Sequence, residues 1–328
     1  MPNMLVMDME PTADCSQPEH FARSRRLQAW HPLAGKALLD RLRITGRPRP
    51  CADPELAARL RAGIERSLGQ VPLSSLEVVT KGRLNRVLTC EDHRAATEFG
   101  TGGPSVAMAC GALVDVLFRQ LMTVGSIGDA MADGMAALAV DDHRRDLVSW
   151  IDHLGAADRA ELAAEVARQA DGISRRWPIL EPGWFPRTQQ SVRTRLLEGT
   201  IELSGRVDLA VGRPAEGAAS VAFVEIKAGG RRVEHRADLH FYALVETLRS
   251  SVPPFVVATY YSRTGELDVD PVTDDLLVAA ARRTAAGVAA LRDPSSNTWC
   301  PRCLAPTFAA LGNDGERTPT ARVKGSDR

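Results

Sequence analysis

The chain has 328 residues, 44% of them apolar, enough to bury at least one substantial core. Its 41 Lys and Arg are matched by 41 Asp and Glu, so overall charge argues neither for nor against a polyanionic partner. Its 6 cysteines are isolated apart from one Cys-x-x-Cys, which excludes a small secreted disulfide scaffold.

Read in chain order, residues 1–50 are expected to form a flexible arm. Between positions 20 and 50 it carries Arg23, Arg25, Arg26, Lys36, Arg41, Arg43, Arg47 and Arg49 against Asp40 alone. Such an arm could lie along phosphates or be a solvated terminus. The first residues include acidic side chains and lack a signal-peptide pattern. No continuous apolar run reaches the roughly 18 residues of a bilayer span. The expectation is therefore a cytoplasmic protein with no membrane partner.

Residues 51–186 read as a helical region packed on the core. Apolar spacing predicts a helix over 54–69, stopped by Gly69. A short extended piece and a helix carrying Cys90 follow. An apolar helix is expected over 107–124, then helix from about 128 to 176, broken near Gly155. Beyond Trp177, the residues Pro178, Pro182, Gly183 and Pro186 mark a loop.

Residues 187–310 read as the core proper. Strands are expected over 191–198, 200–212 and 220–227, the first two joined tightly at Glu198-Gly199. A helix over 236–250, a strand over 255–262 and a helix over 273–292 complete it, with a disordered tail over 311–328. This order predicts an α/β fold, a mixed central sheet flanked by helices with a helical N-terminal region.

The chemistry concentrates in SGRVDLAVGRPAEGAASVAFVEIKAGG. Glu225 and Lys227 are two apart on one strand, hence on one face. Asp208 joins them if its strand is the neighbour, since paired strands lie roughly 5 Å apart. Two carboxylates and an ammonium would then converge. That set suits phosphodiester hydrolysis with Mg²⁺ or Mn²⁺ held by Asp208, Glu225 and the Ile226 carbonyl, and Lys227 acting on water or phosphate. An isolated Glu-x-Lys is more often a solvated pair. Here, however, both charges end the apolar run VAFV, and Asp208 stands between Val207 and Leu209, where a charge without a partner is costly.

The ordered pair Gly205-Arg206-Val207-Asp208 and Glu225-Ile226-Lys227 resembles the RecB-type branch of the PD-(D/E)XK nuclease superfamily. The resemblance covers about 190–262, and more weakly 74–125. It implies a restriction-endonuclease-like core, Mg²⁺ or Mn²⁺ as cofactor, and DNA as partner, single-stranded or at duplex ends. It also implies work beside a helicase or another repair or defence protein. The family's Gln-x-x-x-Tyr helix is matched here by Asp238-x-x-x-Tyr242, which keeps the Tyr and replaces the Gln. Its Gly-x-x-x-His is matched by Gly111 and Asp115, an extra candidate metal ligand. Members of the family join their ends through a four-cysteine iron–sulfur cluster. Cys90, Cys300 and Cys303 fall where three of those cysteines would be, and His93 could complete a Cys₃His site for zinc or a cluster. Cys110 is a rival ligand in an apolar helix. The other reading is a catalytically inactive nucleic-acid-binding or scaffold protein on the same fold.

Arg231, Arg232, His235 and Arg236 follow the Glu-x-Lys strand and could meet phosphates at a cleft rim. His240 is expected at a surface or packing position. Trp177, Trp184 and Phe185 could stack on an unpaired base or anchor the loop. No Gly-x-x-x-x-Gly-Lys-Ser/Thr is present, so no nucleotide-driven motor is expected within the chain.

Overall fold

The computed structural model describes residue 42 and residues 52–69, 76–89, 104–178, 180 and 182–292. Within them one mixed sheet is built from β1 (Glu77–Val79), β2 (Arg187–Leu196), β3 (Ile201–Val211), β4 (Ala222–Lys227), β5 (Val256–Tyr261) and β6 (Glu266–Pro271). The helices around it are α1 (Leu56–Leu68), α2 (Lys81–Leu88), α3 (Val106–Val124), α4 (Ala130–Ala139), α5 (Arg145–Asp152), α6 (Ala156–Arg176), α7 (Val233–Ser250) and α8 (Asp274–Arg292). The fold is thus α/β, a mixed central sheet flanked by helices.

Strand β3 organises the sheet. Along one side it pairs antiparallel with β2, from Leu196↔Ile201 to Arg187↔Ala210. Its other side is shared by two strands. Parallel β1 takes the beginning, Glu77↔Ile201 to Val79↔Leu203, and antiparallel β4 takes the end, Leu209↔Val224 to Val211↔Ala222. Because β1 and β4 run in opposite directions along the same side, their C-terminal ends face each other across residues 204–208 of β3. The sheet continues through β5, parallel to β4, and β6, antiparallel to β5. A parallel pair needs a crossover, which α7 supplies.

Both faces are covered, which explains why AFVEIK is nearly continuously apolar instead of alternating. On one face Leu209, Val211, Val224, Ile226, Ala258 and Tyr260 pack with α3 to α6. On the other, Ile201, Leu203, Val207, Phe223 and Val257 pack with α1, α2, α7 and α8. Trp177 is buried between Phe118 and Tyr260, its ring centroid 5.0 Å from each in edge-on contact. It is a core residue, not a base-stacking platform.

Local chemistry sets the helix ends. Leu56, Leu60, Ile64 and Leu68 repeat every four residues on α1 and are all buried. Ser105 caps α3, and Gly125 ends it in the left-handed region at φ 83°. The helix expected from 128 to 176 breaks twice. Besides Gly155, the Asp141 side chain accepts the His143 N–H. That local bond offers the backbone an alternative to a continuous helix.

Among the described residues, Val106–Val124 is long and apolar enough to cross a membrane by length and composition, which corrects the expectation that no segment would be. The helix carries Asp115 and Arg119, and half of its apolar window is buried against the rest of the protein. Those are features of a core helix.

Candidate active site

The β3–β4 ladder stops at Leu209↔Val224. One more step in that register would set Asp208 opposite Glu225, but the strands part there. The Asp208 carboxylate replaces the missing backbone partner, its Oδ2 accepting the Ile226 N–H at 2.8 Å. The β2–β3 ladder is also interrupted, between Thr188↔Leu209 and Gln190↔Val207. The skipped residue, Gln189, has φ 53°. Side-chain alternation slips at the same level: Val207 and Ala210 enter one core, Leu209 and Val211 the other. Such irregularities re-aim side chains, and a left-handed non-glycine costs about 1 kcal/mol or more. Here the Gln189 amide is carried to Asp115 on α3, donating to Oδ1 at 3.1 Å. Arg119 holds the other oxygen of Asp115 at 3.4 Å.

Glu225 is 3% exposed. Its Oε1 accepts from Lys227 Nζ at 2.8 Å and also from Lys81 Nζ. Its Oε2 is buried without a hydrogen-bond partner among the described residues. Ile226, between Glu225 and Lys227, points its side chain into the opposite core.

Lys81 was not singled out from the sequence. It is the second residue after β1 and the first of α2, where Thr80 caps the helix by accepting the Arg83 N–H at 3.3 Å. The facing ends of β1 and β4 therefore bring Lys81 and Glu225 together. Asp238 and Tyr242 lie one turn apart on α7, on a common face. Lys81 Nζ stands 3.8 Å from Asp238 Oδ2 and 4.9 Å from the centre of the Tyr242 ring. Asn85, one turn along α2, donates to Asp238 Oδ1 at 2.8 Å and accepts from Arg283 at 2.5 Å. The Asp that replaces Gln on α7 thus has a cationic partner in Lys81.

Tyr242 rests directly on β3. A Cβ added at Gly205 would lie 2.3 Å from Tyr242 Cε1 and 2.6 Å from Cδ1, so only glycine fits beneath the ring. Gly205→Ala is expected to destabilise the protein by ~1–3 kcal/mol through overpacking, read from the midpoint of a urea melt. An unchanged midpoint would mean that the ring is not held there.

The electrostatics follow from this crowding. Burial pushes the Asp208 carboxyl up to about 8, helped by the charges of Glu225 and Asp115 and opposed by the Ile226 N–H and Lys81. Burial also raises Asp115, against the pull of Arg119, Arg206 and Arg144. Burial opposes the Glu225 charge as well, but Lys81 and Lys227 outweigh it and hold this carboxyl below its ordinary range. Burial raises Tyr242, and it raises Asp238 despite Lys81 and Lys227.

Among the described residues, no three His, Cys, Asp or Glu side chains are drawn together closely enough to hold a metal ion. Asp208, Glu225 and Asp115 approach without converging, each turned toward a neighbouring N–H or cation. Their chemistry nevertheless fits a hard divalent cation: oxygen donors only, one of them a buried carboxylate oxygen with no partner.

The other candidates separate clearly. Arg231 pairs with Asp268 at 2.7 Å, and Arg236 with Asp270 at 2.6 Å. His240 also meets Asp270, at 3.0 Å. Those side chains are engaged by the acidic strand β6, which the sequence reading did not anticipate. Phe185 is partly exposed, with the Arg213 guanidinium 3.9 Å from its ring centre. Cys110 is a buried thiol, pushed up to about 11 by burial, and Gln169 lies 3.6 Å from its sulfur. The candidate cluster or zinc ligands Cys90, His93, Cys300 and Cys303 lie outside the described residues, as do most of the basic arm and the tail.

No family model matches the chain, and no curated protein matches it. Among solved structures, that of SSO0001 is 13% identical, covering 70% of this chain and 82% of its own, with a TM-score of 0.25. That of Rai1 from Scheffersomyces stipitis is 11% identical, covering 75% of this chain and 68% of its own, also with a TM-score of 0.25. At that score neither likeness supports a conclusion about fold or function.

Proposed function

We propose that this protein is a metal-dependent nuclease with a PD-(D/E)XK core of the RecB type, hydrolysing DNA phosphodiester bonds. The observation that carries the reading is the fork between β3 and β4. There Asp208 and Glu225 stand across from each other, Lys227 lies on the face of Glu225, and one buried Glu225 oxygen has no partner. Asp208, Glu225 and the Ile226 carbonyl would hold Mg²⁺ or Mn²⁺, with Asp115 as a further ligand. The ion would neutralise phosphate oxygens and make a water easier to deprotonate. Lys227 orients that water and stabilises the charge that builds on phosphorus. As the water oxygen bonds to phosphorus, the P–O bond to the leaving oxygen breaks, and that oxygen takes up a proton. Tyr242, seated on Gly205, shapes the cleft wall and supports the ammonium beside it. DNA repair, recombination or defence is the setting that fits, with a helicase or a similar factor as partner.

The test is incubation of supercoiled plasmid and linear single-stranded DNA with the wild-type protein, in Mn²⁺ and in EDTA. Cleavage that requires the metal is the expected result. Intact DNA under every condition would leave the inactive scaffold as the better reading.

A further inference from the structure

Lys81 has a place in the site that structural pairing alone does not account for. One oxygen of Glu225 serves two ammonium groups, Lys81 and Lys227, while its other oxygen is buried and unpartnered. Either lysine would be enough to neutralise one carboxylate. Lys81 is also held from behind. Asp238 lies at 3.8 Å, the Tyr242 ring lies below it, and Asn85 fixes Asp238. Its side chain remains 26% exposed, so the ammonium borders solvent at the gap between β1 and β4. Ion pairing to a buried acid calls for none of this scaffolding. An ammonium that must stay in place after losing Glu225 does.

We infer that Lys81 is a second substrate-contacting cation: once Glu225 engages a divalent ion, Lys81 turns to a non-bridging oxygen of the bound phosphodiester while Asp238 and Tyr242 keep it in position. This rests on the nuclease reading and adds a residue to it. In the metal-free protein the same lysine competes with the cation for Glu225. Its removal should therefore weaken nucleic-acid binding and strengthen metal binding, opposite changes that loss of structure would not produce.

The experiment compares wild type with Lys81→Gln and Lys81→Arg, using a fluorescently labelled single-stranded oligodeoxynucleotide in Ca²⁺, which replaces the catalytic ion without turnover. Lys81→Gln is expected to bind about tenfold more weakly at moderate salt. The slope of log affinity against log salt should fall by roughly 0.7, as for one lost phosphate contact on a single strand. Lys81→Arg, which keeps the charge, should restore most of that slope. Calorimetric titration with Mn²⁺ should show tighter binding in Lys81→Gln than in wild type. A folded Lys81→Gln with wild-type DNA affinity and salt slope overturns the inference while leaving the nuclease reading intact. A wild-type protein that does not bind the oligonucleotide overturns both. Should Lys81→Gln fail to fold, acetylation of wild-type Lys81 followed by mass spectrometry decides. Protection of about tenfold by the oligonucleotide in Ca²⁺ supports the contact, and unchanged labelling overturns it.

Discussion

Lys227→Ala should lower the rate of Mn²⁺-dependent DNA cleavage by ~10²–10⁴-fold, the usual range for losing a positioned proton-transfer or charge-stabilising group, while the protein stays folded. The second half of that expectation comes from Lys81. Removing one partner of a buried ion pair normally costs about 3–5 kcal/mol, because a charge is left uncompensated. Here Glu225 keeps a contact to Lys81 when Lys227 is gone, so the single variant should melt close to wild type. The double variant Lys81→Ala/Lys227→Ala strands the carboxylate and should lose most of the stability that the single variant retains. Thermal melts of the three proteins beside the cleavage assay check both halves. Cleavage by Lys227→Ala at the wild-type rate would remove Lys227 from the chemistry.

Asp208→Asn should abolish cleavage and yet stabilise the metal-free protein. The Asp208 carboxyl is raised from 3.8 to about 8 in the fold, so the folded state retains a proton that the unfolded chain gives up. Its contribution to stability is complete below the ordinary carboxyl value and disappears as pH rises through about 8. In EDTA, wild type should therefore lose stability relative to Asp208→Asn between about pH 4 and pH 8. The gap should reach ~1–3 kcal/mol at the alkaline end, a discounted figure for a partly exposed group. Asn can still accept the Ile226 N–H that Asp208 Oδ2 holds at 2.8 Å, so the substitution removes charge without removing the bond. Denaturant melts in EDTA across that pH range provide the comparison. Equal stability of the two proteins at every pH would mean that Asp208 is not under electrostatic strain.

Much of the fold was legible because the signals were local. The four-residue spacing of Leu56, Leu60, Ile64 and Leu68, the Gly69 stop and the apolar run at VAFV depend only on near neighbours. The pairing of Asp208 with Glu225 could be read because both sit on strands joined by a short connection, where register is constrained. Elements whose identity depends on distant partners were missed. Residues Arg187–Gln190 are polar and become strand only by pairing with the end of β3. Strand β6 alternates Leu267 and Val269 with acids, and those acids acquire meaning from Arg231 and Arg236 on the far side of a helix. Lys81 was invisible for the same reason: it follows a three-residue strand and is more than a hundred positions from Glu225. Asp238 looked like a defect in a motif until its partners were seen. Gln189 could not have been found, since only the completed sheet gives its backbone that conformation.

The head-on meeting of two strand ends makes this centre non-transferable. A fragment starting after α2 would retain Asp208, Glu225, Lys227 and Tyr242 but would lack the amine that arrives with β1, and it would bare the hydrophobic groove that α1 and α2 occupy. Docking of that early hairpin of strand and helix thus works as an assembly checkpoint. Until it is complete, Glu225 has one cation instead of two and the aromatic wall lacks its cap, so a nascent or clipped chain carrying every motif residue would still be harmless to DNA.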